Sequence, residues 1–399
     1  MIQALRMRRP DTARPTLLTP AFVTVTLACL AYFTGDGVLV PAVPRYVEGP
    51  LGAGNVAIGL VVGAFSLSAF FLRPWVGGLG DRWGRRPLML VGAALFAASV
   101  LAYPLASSPA VLAALRLLTG AGEAFFFVGA VTAVFDLAPA ERRGEAMSVA
   151  SLALYVGIGL GPLIGELAIE RVGFVAAWVL AATAALTALV MALRVPDTRP
   201  QEASGEASGG PSPRRRLVHR AGVLPGLVML TSILGMAGFL TFVPLYAIDI
   251  GMDGSRLVLL VFAGVVVGIR SVGARIPDRL GAARTTRMAL ALSAAGLALV
   301  GTWRSPAGLL AGTVVFAVGI ALLTPAVMAL AVEGVAPQER ASVIGTTSAF
   351  LDLAFGLGPA TLGFVAAAIG RPGTFLAGAV AAAVGWVLVV WTRLGRRGS

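Results

Sequence analysis

Long apolar stretches alternate with short polar segments along the whole chain. A helix needs about 20 apolar residues to cross a bilayer, and twelve such stretches stand in the sequence. The predicted membrane helices cover 18–44, 56–79, 88–106, 110–135, 145–169, 174–194, 221–247, 255–275, 287–303, 307–332, 341–369 and 372–393. No small-residue cleavage site follows the first run, so we expect a retained helix and not a signal peptide.

The composition supports a surface that faces lipid. Hydrophobic residues make up 57% of the chain and charged residues 13%, and the mean hydropathy is +0.88. A soluble domain has about 25% charged residues. The 50 glycines suit membrane helices, where small residues allow close backbone approach.

The basic residues predict the orientation in the membrane. All 31 are Arg, and the net charge is +12. With the N-terminus inside, 23 Arg fall in inside segments, five fall in outside loops, and Arg73, Arg116 and Arg270 fall within helices. Positive residues favour the cytoplasmic side, so we expect a multi-pass protein of the bacterial inner membrane with both termini cytoplasmic. Arg in such short loops indicates topology, so no nucleic-acid partner is expected.

The reactive side chains exclude several kinds of chemistry. Cys29 is the single Cys and His219 the single His, which leaves no disulfide and no Cys/His metal site. No cofactor is expected. A membrane enzyme or sensor is disfavoured because no His pair, Ser–Lys dyad or metal-ligand cluster is visible.

The chain divides into two related halves. Residues 195–220 are rich in Ser, Gly, Pro and Glu without periodicity and predict a flexible cytoplasmic linker between six-helix bundles at 1–194 and 221–399. The repeated pairs are Asp81-Arg82-x-Gly84 with Asp278-Arg279-x-Gly281, Arg73 with Arg270, Gly161-Pro162 with Gly358-Pro359, each 197 residues apart, and Ala138-Pro139-x-Glu141-Arg142 with Ala336-Pro337-x-Glu339-Arg340, 198 apart. Parallel repeats of six helices are typical of transporters with a site between the halves; the alternative is a duplication that serves assembly alone. The predicted fold is therefore an all-α membrane protein of twelve helices in two pseudo-symmetric six-helix bundles.

The first loop carries a specific signature. Gly77 to Arg86 reads GGLGDRWGRR, which resembles the G-x-L-a-D-R-x-G-R-R loop between helices 2 and 3 of the major facilitator superfamily. The resemblance implies a conformational latch made of Gly77, Asp81, Arg82, Gly84, Arg85 and Arg86. In the family this Asp contacts the start of helix 11, so Asp81 with Arg85 is expected to stabilise the outward-open state. Gly84 is expected to form a tight turn. The alternative is that the arginines only set topology.

Helix 4 supplies a candidate proton carrier. Arg116 to Ala124 reads RLLTGAGEA and is similar to the family pattern R-x-x-x-G-x-G-x-A, whose Arg is tied to proton transfer. Glu123 shares a helical face with Arg116, about 10 Å further along the axis. An isolated carboxyl in a low dielectric favours its neutral form, so Glu123 can carry a proton. The alternative is a structural ion pair between helices.

Helix 5 points to a branch of the family. Gly157 to Glu166 reads GIGLGPLIGE and resembles G-x-x-x-G-P-x-x-G-G, which is typical of drug–proton antiporters. Gly157, Gly161, Pro162 and Gly165 match. We expect the glycines to pack on a helix of the other half and Pro162 to bend the helix; the alternative is ordinary small-residue packing. Glu166 replaces the last Gly, and we expect it to be solvated at the outer end.

Two further carboxylates lie within predicted helices. Asp36 in helix 1 is a second candidate proton carrier, unless Thr34 caps it locally. Asp352 in helix 11 is a weaker candidate, since that helix is peripheral to the pathway in the family.

The resemblance places helices 1, 4, 7 and 10 around a central cavity. Their aromatic residues give a candidate substrate wall of Tyr32, Phe126, Phe127, Phe239, Phe242 and Tyr246. Such a wall suits a lipophilic substrate, although aromatic residues also face lipid or neighbouring helices. Helices 7 and 10 bring no ionisable residue to the midplane, which favours a hydrophobic or cationic substrate.

The expected function is proton-coupled export of a small lipophilic compound, such as a drug or a secondary metabolite, by alternating access. The alternative is a proton-coupled nutrient or metabolite carrier on the same fold. The expected partners are the substrate, protons and the lipid bilayer, and we expect a monomer.

Overall fold

The protein is almost wholly helical. The computed structural model describes residues 17–139, 142–198, 219–272, 280–336 and 339–392. Within these ranges the long helices are α1 (Pro20–Glu48), α2 (Asn55–Trp83), α3 (Arg85–Leu101), α4 (Pro109–Leu137), α5 (Arg143–Arg171), α6 (Phe174–Leu193), α7 (Arg220–Asp249), α8 (Arg256–Val272), α9 (Ala282–Thr302), α10 (Pro306–Val332), α11 (Arg340–Ile369) and α12 (Arg371–Trp391). The twelve predicted helices are confirmed.

Eleven of these helices are long and apolar enough to cross a membrane. The twelfth, α8, is described for 17 residues, up to the gap in the described ranges. Several helices run past their apolar windows because polar residues complete the last turns: α5 extends from Arg143 to Arg171 around the predicted 145–169. Most of the predicted linker, residues 199–218, lies outside the described residues.

A serine N-cap followed by a proline starts corresponding helices in the two halves. Ser108 accepts a hydrogen bond from the backbone of Val111 at the start of α4, and Ser305 accepts one from Gly308 at the start of α10. A proline follows each cap, at a position where its missing N–H costs nothing. The two caps are 197 residues apart, so the repeat read from the motifs holds for these helices.

The helix packing repeats as well. In the first half α1 packs on α5 and α6, and α3 packs on α4 and α6; in the second half α7 packs on α11 and α12, and α9 on α10 and α12. Two helix pairs cross between the halves, α2 with α11 and α5 with α8, together with a smaller contact of α1 with α7. We call this boundary the seam.

The glycines of α5 pack on α1, in their own half. A Cβ on Gly161 would lie 2.5 Å from Cα of Gly37, and one on Gly165 would lie 2.6 Å from the carbonyl oxygen of Val38. The predicted contact of this motif with the other half is therefore wrong. Residues four apart share one helical face, and that face is turned towards α1. Pro162 lies inside α5 and borders Gly37 too.

This packing carries a stability prediction. Gly161→Ala should lower the melting temperature of the detergent-solubilised protein, because the added methyl has no space and overpacking costs about 1–3 kcal/mol. Gly264→Ala on α8 is the matched control, since a Cβ there meets no atom within 4 Å. Equal melting temperatures for the two variants would contradict the close α1–α5 contact.

The seam is tight at one end and open at the other. Gly63 of α2 lies against Gly356 of α11, where a Cβ would be 2.5 Å from the carbonyl oxygen, and Gly59 touches Pro359 still more closely. Gly77 lies 18 residues after Gly59, which is about five helical turns and therefore the same face. A Cβ on Gly77 would meet no atom of the described residues within 4 Å.

The glycines of α11 show the same change, from close contact at one end of the seam to separation at the other. Gly363 borders Asn55 and Gly59, whereas a Cβ on Gly345, 18 residues earlier, would meet no described atom within 4 Å. The halves therefore touch at the end where α1 joins α2, which we call the α1–α2 face. They separate at the end where α2 joins α3, which we call the α2–α3 face.

Candidate functional site

An ion-pair network joins the two halves at the seam. Arg73 of α2 donates to Glu123 of α4 at 2.9 Å and to Asp352 of α11 at 2.5 Å. The Glu123 side chain is 6% exposed and the Asp352 side chain 16%. We call Arg73, Glu123 and Asp352 the seam triad. It links a carboxylate of each half through one guanidinium.

The triad leaves buried polar atoms without partners. Oε2 of Glu123 and Nε of Arg73 make no hydrogen bond to the described residues. The guanidinium carbon of Arg73 also lies 4.7 Å from the ring centroid of Phe127. A free, buried carboxylate oxygen beside a shared cation can accept a proton without any rearrangement of the helices.

The sequence singled out Glu123 and, more weakly, Asp352, but it did not assign Arg73 to the site. The signal was present: Arg73 is an intramembrane arginine that recurs at Arg270, and charges within membrane helices are usually functional. The structure pairs Glu123 with Arg73 and not with Arg116, so the interhelical ion pair considered as the alternative is present.

Arg116 and Asp36 form a second charged group. Arg116 is 5% exposed, its guanidinium carbon lies 4.5 Å from the ring centroid of Phe65, and its Nε and Nη1 make no hydrogen bond to the described residues. Asp36 is half-buried and interacts electrostatically with Arg116. Thr34 donates instead to the carbonyl oxygen of Leu30 at 2.7 Å, so it does not cap Asp36.

At Gly77, where the signature sequence begins, an added Cβ would meet no described atom within 4 Å, so this glycine does not pack on the described part of α11. Gly84 has a φ of 93° and forms the turn between α2 and α3, which confirms the predicted tight turn. Arg85 is buried and donates to Asp136 of α4 at 3.0 Å, and the carboxylate of Asp197, just after α6, lies against Gly84. The loop is thus held within the first half. Arg82 is exposed and Arg86 half-buried, whereas the side chain of Asp81 lies outside the described residues.

Two of the predicted cavity aromatics belong to the core of the first half. Tyr32 stacks on Phe126 with ring centroids 4.0 Å apart, and it also contacts Phe96 of α3 at 4.9 Å. Tyr32 and Phe126 are both 0% exposed. The prediction that they line a cavity is corrected by this packing. Phe127, on the next position of α4, is half-buried and turns towards Arg73.

The aromatics of α7 likewise pack inside the second half. Phe239 contacts Phe316 at 5.2 Å and Phe375 of α12 at 6.1 Å. Tyr246 contacts Phe375 and donates to the carbonyl oxygen of Val300 on α9 at 3.2 Å. Phe242 is 0% exposed. These rings build the bundle core, so their assignment to an open cavity wall is corrected too.

A polar cluster around Glu166 closes the α1–α2 face. Glu166 of α5 is 0% exposed, and Ser255 at the start of α8 donates to its Oε1 from the backbone at 3.1 Å and from the hydroxyl at 2.5 Å. Arg45 of α1 donates to Oε2 at 3.3 Å, and Arg256 pairs with Glu170 at 3.0 Å. The expectation that Glu166 is solvated is therefore wrong, because it closes the contact between α5 and α8.

Arg371 of α12 forms another polar cluster on the same face. Its guanidinium binds both carboxylate oxygens of Asp249 at 2.7 Å and also contacts Glu48 of α1. Its Nε donates to Asn55 of α2 at 3.3 Å, and Asn55 donates to the carbonyl oxygen of Ala366. One arginine of the second half thus holds two helices of the first half.

Removing Glu166 should loosen this face. Glu166→Ala deletes the acceptor for Ser255 and Arg45, so spin labels at Pro50→Cys and Asp253→Cys, in a Cys29→Ser background, should gain a longer-distance population. Glu170→Ala is the matched control, because its partner Arg256 is 44% exposed and exposed pairs contribute little. An unchanged distance distribution in Glu166→Ala would exclude the closing role.

The fold and the site together define a class of protein. Two repeated six-helix units meet at a seam that carries buried charges, which is the arrangement of membrane transporters built from parallel repeats. The chain belongs to the Major Facilitator Superfamily, whose family model matches residues 25–306 and 272–398. It is therefore a multi-pass membrane transporter of small molecules and not an enzyme.

Relatives and solved structures span nearly the whole chain. The chain is 26% identical over 362 residues to Multidrug resistance protein 1 of Bacillus subtilis, covering 88% of this chain and 89% of the relative. A bacterial homologue of the human lysosomal transporter Spinster, in an inward-facing and unoccupied conformation, matches with a TM-score of 0.80 and 14% identity over 95% of this chain and 97% of its own. The human organic anion transporter MFSD10 matches with a TM-score of 0.66 and 20% identity over 92% and 98%. At these identities the two structures establish the fold alone.

Proposed function

We propose that this transporter exports a small lipophilic compound in exchange for protons. The observation that carries the proposal is the seam triad, in which Arg73 binds Glu123 of one half and Asp352 of the other. A proton on either carboxyl weakens its attraction to Arg73 and so changes the free-energy difference between two arrangements of the halves. A ligand shifts such an equilibrium only by its differential affinity for the two states.

We assign the α2–α3 face to the cytoplasm of a bacterial cell and both termini to that side. The 23 Arg on this side against five on the other support the assignment. The open seam then faces the cytoplasm, in keeping with the inward-facing state named for the Spinster homologue. In this state the Glu166 and Arg371 clusters close the outer side. The cycle needs one chain only, so we propose a working monomer.

In the opposite state the cytoplasmic ends of α2 and α11 would close. Asp81 would then contact the start of α11, as the resemblance of the signature loop implies, while the outer clusters would open. Protons would enter from outside and bind to Asp36 and Glu123. Arg116 would supply the positive charge on this route. Substrate would enter from the cytoplasm and leave to the outside.

Export is favoured over uptake by two features. The glycine and proline positions of α5 match the antiporter pattern, and a relative is named for multidrug resistance. A proton-coupled nutrient or metabolite carrier is the second candidate, because the solved structures named above include a transporter of organic anions.

The proposal is tested in inside-out membrane vesicles with an acidified lumen. A compound that the protein exports should collapse the proton gradient on addition, seen as recovery of a quenched acridine dye, and should accumulate in the lumen. Vesicles without the protein are the control. In cells, export predicts less compound inside when the gene is expressed, whereas greater accumulation would favour the uptake carrier.

A further inference from the structure

Arg270, near the end of α8, has no acidic partner among the described residues. Arg270 of α8 forms no ion pair within the described part of the chain, and its Nε is buried without an acceptor there. Its guanidinium carbon instead lies 4.1 Å from the ring centroid of Tyr155, on α5 of the other half. Since a charge within a membrane is costly and is normally paired, Arg270 leaves a position open for an anion.

The internal repeat identifies what is missing. Arg270 corresponds to Arg73, and 197 residues separate them. The same spacing relates Tyr155 to Asp352, the carboxylate that Arg73 binds across the seam. The starts of α5 and α11, Arg143 and Arg340, are also 197 apart. The second copy of the seam contact thus keeps the arginine but has a phenol in place of the carboxylate.

The other carboxylate is missing as well. Glu123 of α4 corresponds to Ile320 of α10 at the same spacing, and Ile320 is 3% exposed. Among the described residues, neither position that gives Arg73 its charge partners gives Arg270 one. The two copies of one contact therefore differ by two negative charges.

The remaining groups suit an anionic ligand. A guanidinium offers a fork of N–H donors that matches a carboxylate, sulfonate or phosphate group. Tyr155 is half-buried, and its hydroxyl makes no hydrogen bond to the described residues, so it can donate to the same anion. At Gly159, one turn further along α5, the contact with α8 is apolar, since a Cβ there would lie 2.8 Å from Cβ of Ala263.

We propose that Arg270 and Tyr155 bind an anionic group of the transported compound. The inference rests on the proposed function, because it places the substrate between the halves. It changes the expected substrate class from hydrophobic or cationic to a lipophilic body that carries a carboxylate, sulfonate or phosphate. An anionic lipid headgroup offers the same chemistry, and the experiment separates the two sources.

The experiment uses the full chain in nanodiscs of phosphatidylcholine and two fluorescent probes. 1-Anilinonaphthalene-8-sulfonate carries the anion, and N-phenyl-1-naphthylamine has the same aromatic body without it; empty discs supply the background. Arg270→Gln should weaken binding of the sulfonate by about tenfold or more, and binding of the neutral probe by less than about twofold. No saturable sulfonate binding to the wild type, or equal weakening of both probes, would overturn the proposal.

Two further binding measurements test the same site. Tyr155→Asp gives Arg270 the counter-ion that Arg73 has, so it should weaken sulfonate binding as Arg270→Gln does, although the arginine is retained; full sulfonate binding there would overturn the proposal. Discs with added phosphatidylglycerol should leave the wild-type affinity unchanged. A loss of sulfonate binding in those discs, confined to chains that retain Arg270, would assign the subsite to lipid and overturn the substrate assignment.

No proton gradient is present in this assay, so its failure is distinguishable from failure of the proposed function. If efflux did not depend on the proton gradient but sulfonate binding depended on Arg270, the proposed function alone would be overturned. If efflux were driven by protons but sulfonate binding did not depend on Arg270, only the proposed anion subsite would be overturned.

Discussion

Glu123→Gln should reduce proton-driven transport to the level of vesicles without the protein, while substrate exchange without a proton gradient continues. The amide keeps the shape of the side chain and an oxygen acceptor for Arg73, which donates at 2.9 Å, but it cannot take up or release a proton. Asp36→Asn should have the same effect. The measurement compares gradient-driven accumulation with exchange in the same vesicles.

Glu145→Gln is the matched control, because that carboxyl, in the first turn of α5, is 54% exposed and its ion pair among the described residues is with the neighbouring Arg142. It should transport at the wild-type rate. The assignment of proton coupling is wrong if Glu123→Gln and Asp36→Asn both transport at full rate under a gradient. Loss of exchange as well as of driven transport would indicate a folding or binding defect, which the amount of protein in the membrane then identifies.

Arg73→Gln should destabilise the protein and stop transport. It leaves Glu123 and Asp352 as unpaired carboxylates near each other, and breaking a buried ion pair by removing one partner costs about 3–5 kcal/mol. The melting temperature of the solubilised protein measures this loss. For the melting temperature alone, Arg270→Gln on the equivalent helix is the matched control, since it removes no ion pair with a described residue.

A variant with an uncharged seam triad separates the effect on stability from the effect on proton coupling. The triple variant Arg73→Gln, Glu123→Gln, Asp352→Asn should recover most of the melting temperature, because it leaves no isolated charge, yet it should not transport against a gradient. Full gradient-driven transport by the triple variant would exclude the triad from coupling. A melting temperature of Arg73→Gln equal to that of the wild type would show that the pairs across the seam contribute nothing.

Much of the architecture could be predicted from the sequence because the bilayer restricts the choices. Apolar runs of sufficient length must be helices, and glycine at Gly84 marked a turn that the structure confirms with a positive φ. The repeat spacing of 197 residues, read from a few motifs, also relates Ser108 to Ser305 at the helix starts.

The partners of the charged residues could not be predicted. Arg73 and Asp352 are 279 residues apart, and Glu166 and Ser255 are 89 apart. Such pairs depend on how one half sits on the other, and neither composition nor periodicity encodes that. Glu166 was misjudged because its distance from the helix end suggested solvent, whereas a helix of the other half covers it.

The aromatic residues were misplaced for a different reason. In a soluble helix the polar face shows which side is exposed, but membrane helices are apolar all round. Helix membership alone therefore could not distinguish Phe126, which packs in the bundle, from Phe127, which turns towards Arg73. The same ambiguity hid the partner of the α5 glycines, whose small-residue face fits any close neighbour.

The glycine contacts between α2 and α11 bear on how fast the halves can move. Gly59, Gly63 and Gly363 bring backbone against backbone, so these three positions place no side chain of their own between the two helices. In the proposed cycle, the halves would part at these positions without a change of rotamer at the three glycines. The barrier to the proposed switching would then reside in the polar clusters, so single substitutions on the helices that carry Glu166 and Arg371 should change the turnover rate.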